Sequence, residues 1–76
     1  MPWSRNLAKP IALKDGRLLV TLADARALML SLPEPVQRKE YWIYVGALML
    51  EAATSRCVIS ETRAELTLAL RAEGLI

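Results

Sequence analysis

Apolar positions fall into four stretches along this chain, and each predicts an element. From Tyr41 to Leu50 the sequence reads YWIYVGALML, ten residues without a charge. At 100° per residue these side chains cover every direction around a helix, and a helix that is apolar all round is covered on most sides. The predicted central helix runs over about 36–53. Its charges are held back to Arg38, Lys39 and Glu40 at one end and Glu51 at the other. Gly46 and Ala47, with Ala52 and Ala53 later, predict close approach of neighbouring backbones.

The first stretch alternates. Asp15-Gly16 predicts a two-residue hairpin turn over a hairpin at 10–21, because this dipeptide tolerates the positive φ that such a turn requires. If Lys14 faces Arg17, Leu13 pairs with Leu18, Ile11 with Val20 and Ala12 with Leu19. The larger apolar pairs then share one face, and that face needs helices beneath it.

Thr21 with Asp24 has the form of a capping box, so a first helix is expected over about 22–32, stopped by Pro33. Pro35 suits the first turn of the central helix. After Thr54-Ser55-Arg56 breaks the pattern, Ser60 is expected to cap a third helix over 61–73. Gly74 would end it in a Schellman motif, with Leu75 touching Leu70. Val58-Ile59 reads either as a short strand or as loop packing. The sum is an α+β domain, ββααα, with an N-terminal β-hairpin packed on a three-helix bundle over 10–76. Residues 1–9 read as a flexible basic arm.

Composition changes this picture in one respect. Of 76 residues, 54% are hydrophobic, more than one small domain can hide. The third helix has two apolar sides, Leu66 with Leu70 and Leu68 with Ala64 and Ala72. A second copy or a small protein partner is the expected cover, with Trp42, Tyr44, Leu66 and Leu70 as the interaction residues. Trp42 and Tyr44 serve equally well as core.

Charge adds a rival reading. The net charge is +2, and Arg5, Lys9, Lys14 and Arg17 stand near the start against Asp15 alone. A nucleic-acid-binding protein could set these four on phosphates, with Trp3 stacking on a base. A solvated surface, and a tryptophan folded back over the hairpin, account for the same residues, and the spread is unlike the runs of like charge that bind nucleic acid.

Candidate chemistry is sparse. The chain has no histidine and only three glycines, at 16, 46 and 74, so the usual triads, zinc sites, phosphate loops and dinucleotide fingerprints cannot be written. Glu51 and Glu61 read as helix-end charges. The single cysteine, Cys57, makes no internal disulfide and has no base beside it. We expect no enzyme activity, no cofactor, no metal and no small-molecule substrate. The N-terminal MPWSRNLAKP lacks the apolar stretch of a secretory signal, and the central run is too short to span a bilayer. A cytoplasmic protein is expected.

Residues Asp15, Gly16, Arg17, Leu19, Thr21, Leu22, Asp24 and Ala25 form a DGR-x-L-x-TL-x-DA pattern, followed by the Leu32-Pro33 step and a helix bearing Trp42. In this the chain resembles short alphaproteobacterial proteins of no assigned activity. The likeness covers roughly residues 10–54. It implies a small cytoplasmic product and transfers no functional residue.

Overall fold

The Asp15-Gly16 turn forms, but in a different geometry from the one its sequence predicts. In the computed structural model, residues 2–54 and 59–76 are described. Strands β1 (Asn6–Ala12) and β2 (Leu18–Thr21) are antiparallel, and helices α1 (Leu22–Ser31), α2 (Glu34–Gln37), α3 (Glu40–Thr54) and α4 (Ile59–Ala72) follow. At the turn, Gly16 N donates to Leu13 O at 3.1 Å and Leu13 N donates to Arg17 O at 2.9 Å. Three residues are enclosed rather than two, with Gly16 at φ +94°. Such a loop is a type I turn followed by one left-handed residue.

The extra loop residue moves β2 by one position and so turns its side chains over. Ala12 pairs with Leu18 and Ile11 with Leu19. Leu19 joins Ile11 and Leu13 on the buried face, whereas Leu18 and Val20 face outward. The expected pairs Leu13–Leu18 and Ile11–Val20 do not form. Further along, Asn6 pairs with Thr21, so the ladder is displaced between Asn6 and Ile11. Pro10 lies in that interval and has no N–H to donate to a ladder. The carbonyl of Lys9, also in it, accepts instead from Arg63 Nε on α4 at 2.9 Å.

Of the expected arm at 1–9, the described residues 2–9 do not stand apart from the domain. Pro2–Ser4 form a 3₁₀ turn and Asn6 opens β1. Trp3 packs half-buried against the core, with the Arg26 guanidinium 5.2 Å from its ring centroid. The tryptophan is thus folded onto the helices rather than over the hairpin.

Asp24 N donates to Thr21 Oγ1 at 3.2 Å and Thr21 N donates to Asp24 Oδ2 at 3.1 Å, which completes the capping box of α1. At the far end of the chain Leu75 N donates to Leu70 O at 2.9 Å and Gly74 N to Arg71 O at 3.0 Å, with Gly74 at φ +73°. That is the expected Schellman motif. Ser60 is not the cap of α4; it lies in the first turn, which begins at Ile59, so Ile59 is helical rather than part of a strand. Cys57 and Val58 lie outside the described residues.

The predicted central helix is divided. α2 is a single turn, and the chain re-aims at Arg38 and Lys39 before α3 begins at Glu40. Extending α3 backward shows why. Seven residues before Val45, Arg38 would fall within the sector occupied by the buried Val45 and Met49. The break keeps that guanidinium in water, where it pairs with Glu34. Four helices therefore follow the hairpin among the described residues, not three.

α1 and α4 lie against the hairpin, and α3 packs on both helices. Leu7, Ile11, Leu13 and Leu19 from the hairpin meet Leu22, Ala25 and Leu28 of α1, Trp42, Val45 and Met49 of α3, and Leu66 and Leu70 of α4. The accessible surface is 4700 Å², matching the roughly 4,700 Å² expected for a folded monomer of this mass.

Candidate association surface

Residues predicted to make contacts separate into two groups. Trp42 is 1% exposed and Leu66 and Leu70 are 0% exposed, so these three belong to the domain's own core and are corrected as interaction residues. Tyr44 is 47% exposed and remains at the surface. On α4 the exposed large apolar position is Leu68, not Leu66 or Leu70. Leu68 lies opposite the buried row, in a row with Glu61 and Glu65 at helical spacing.

α3 supplies the larger part of the surface. Ile43 and Leu50 are 60% and 62% exposed, and Ala47 between them is exposed too. With spacings of four and three they form one row down the helix. Tyr44, Glu40 and Glu51 run beside it, toward α4. The sequence hid this row because the run Tyr41–Leu50 is apolar in every direction; no periodicity distinguishes the inner side from the outer.

The charges around Tyr44 on α3 and α4 are glutamates, and the exposed Arg71 stands one turn beyond Leu68. The Tyr44 hydroxyl donates to Glu61 Oε1 at 3.2 Å. The Glu61 carboxylate foremost, with Glu65 and Glu51 behind it, holds the phenol pKa above its usual value, because each disfavours a further negative charge. Tyr44 therefore stands in a field made by three glutamates from two helices.

One end of α3 is tied to the end of α4. Glu73 accepts from Lys39 Nζ at 2.9 Å and from the Tyr41 hydroxyl, and Lys39 also stands 5.8 Å from the Tyr41 ring centroid. Tyr41, then Lys39, hold the Glu73 carboxyl below the usual carboxylate range, with a smaller contribution from the Trp42 indole. The Trp42 Nε1 proton itself closes no hydrogen bond of good geometry. This cluster is structural: it fastens the α2–α3 junction to the α4 terminus.

The four basic residues of the nucleic-acid reading are dispersed in role. Arg5 Nη1 donates to the Ala52 carbonyl at the end of α3. Arg17 Nε pairs with Asp15 Oδ2 at 2.7 Å inside the hairpin loop. Lys9 and Lys14 are exposed on the hairpin. Between β2 and α1 lies an open hollow of about 290 Å³, lined by Leu18, Leu19, Ala27 and Leu28 with Arg17 and Asp24 at its polar margin.

No known protein family, curated protein or solved structure matches the chain. Among the described residues no helix is long and apolar enough to cross a membrane, and no group of three or more His, Cys, Asp or Glu is placed to hold a metal ion.

Proposed function

We propose that this domain is a non-catalytic, cytoplasmic protein-association module whose contact surface is the outer side of α3 with the adjoining row of α4. The observation that carries the reading is the Ile43–Ala47–Leu50 row, left in water on a helix whose Trp42, Val45, Leu48 and Met49 are taken up by the core. Contiguous apolar surface rimmed by polar groups marks interaction sites on small soluble proteins. Tyr44 beside the row offers the amphipathic ring over-represented among interface anchors.

The nucleic-acid alternative has less support. Arg5 is engaged with Ala52 and Arg17 with Asp15, and each phosphate contact withdrawn removes about one unit of salt dependence and its share of affinity.

Replacing Ile43 with glutamate places a charge at one end of the row, at a position where the fold has no need of an apolar side chain. The expected result is an unchanged circular dichroism spectrum with association lowered by at least tenfold, read by light scattering on a size-exclusion column across a dilution series. Association equal to that of the parent chain would remove the α3 face from the proposal.

A further inference from the structure

We infer that the α3–α4 surface binds the outward face of the hairpin of a second copy of this chain, so that copies join head to tail. The inference rests on the association reading above and names the partner of that surface. It is carried by charge and shape on two sides of one molecule.

The outward hairpin face consists of Pro10 and Ala12 on β1 with Leu18 and Val20 on β2, and Leu18 is 57% exposed. The Ala12–Leu18 pairing places those two side by side. The exposed charges on this strand pair and its turn include Lys9 and Lys14, with Arg17 beside its own Asp15. The α3–α4 face has a mainly acidic make-up: Ile43, Ala47, Leu50, Tyr44 and Leu68 among Glu40, Glu51, Glu61 and Glu65, with Arg71 alone of opposite sign on α4 beyond Leu68. An apolar patch with a basic border thus meets an apolar patch with a mainly acidic border. Opposed signs steer encounter and set orientation.

The placement of the two faces decides the symmetry. Leu7, Ile11, Leu13 and Leu19 of the hairpin and Trp42, Val45 and Met49 of α3 turn inward to one shared core, so the outward faces of these two elements each point away from it. One face cannot meet its complement on a copy that simultaneously returns the same contact. The junction is heterologous, and repeated junctions close into a ring or continue as an open series. Two copies of either face brought together would instead oppose like charges.

The experiment uses two surface variants, Leu18→Glu and Ile43→Glu, each at an exposed position. The full-length chain is expected to gain mass with concentration past the dimer, and to lose it between about 50 mM and 1 M salt as the Debye length contracts. Each variant alone should be monomeric. An equimolar mixture retains one intact face of each kind and should give a 1:1 complex of about twice 8.5 kDa. A mixture that stays monomeric overturns the inference, as does a full-length chain that stays monomeric at about 1 mM. If Leu18→Glu associates as the parent does while Ile43→Glu does not, the helical surface stands as the contact and the hairpin is not its partner. If Ile43→Glu also associates normally, both the surface and the inference fall. Lys14→Glu and Ile43→Ala, gentler changes with no demand on folding, should each weaken association by about tenfold, and normal association of both also overturns the head-to-tail contact.

Discussion

Single side chains in this protein act through their direction, and Glu73 shows it most plainly. Arg71 and Ala72 just before it point to water, but one step further, past the end of α4, the helical advance brings its carboxylate to Lys39 and Tyr41. Because these donors favour the ionised form, its folded pKa lies below the ordinary 4.5. A depressed carboxylate contributes stability that is present above the unfolded pKa and lost as pH falls through the folded one. Glu73→Gln should therefore lower Tm at neutral pH, and the difference from the parent should close as the pH falls below about 4. Thermal melts at several pH values check this; an offset that stays constant would mean that shape rather than charge matters at Glu73. Trp42, one residue beyond Tyr41, points inward, and the alternation across Tyr41, Trp42, Ile43 and Tyr44 is the ordinary consequence of 100° steps.

Helix α3 is the element in which local preference and packing diverge. Its sequence predicts that Gly46 admits a neighbouring backbone, yet a methyl group built there would meet only Met29, its Sδ and Cε atoms both 3.7 Å away. That is ordinary van der Waals contact with the end of a flexible side chain. The glycine is thus not required by packing and keeps only its cost in backbone freedom. Gly46→Ala should stabilise the protein by about 1 kcal/mol, a rise in Tm of roughly 4–8 °C for a domain of this size. A fall in Tm would show that α1 and α3 are closer than the Met29 contact indicates. Gly16 is the opposite case. Nothing stands within 4 Å of its missing Cβ, but its φ of +94° lies where other residues are strained, so the turn, and with it the β2 register, depends on that glycine.

For the molecule as a whole, the margin of stability is small and the core is shared by every long element. A domain of this length has a total unfolding free energy of roughly 4–11 kcal/mol at the usual per-residue value. Leu66 is fully buried where α4 meets α3 and the hairpin, so Leu66→Ala should cost about 2–5 kcal/mol, a large part of the whole. Chemical denaturation read by tryptophan fluorescence will measure it. A loss below 1 kcal/mol would mean that the core closes over the gap. The same substitution should leave association of the folded fraction unaltered, which separates core positions from surface ones.

What could be read from the sequence alone is local. The capping box at Thr21 and Asp24, the stop before Pro33 and the Schellman end at Gly74 depend on bonds spanning three to five residues, so a short stretch of chain determines them. The order of hairpin and helices follows from those signals. Tertiary structure decided everything that needed a choice between equally apolar directions. It chose the three-residue loop, which buried Leu19 and turned Leu18 outward. It broke the central helix at Arg38, because a straight helix would have driven a guanidinium into the core. It also assigned Trp42, Leu66 and Leu70 to the interior and Ile43, Leu50 and Leu68 to the surface. Hydrophobicity states that a residue favours burial; only the position of α1, α4 and the hairpin around α3 states which residues obtain it.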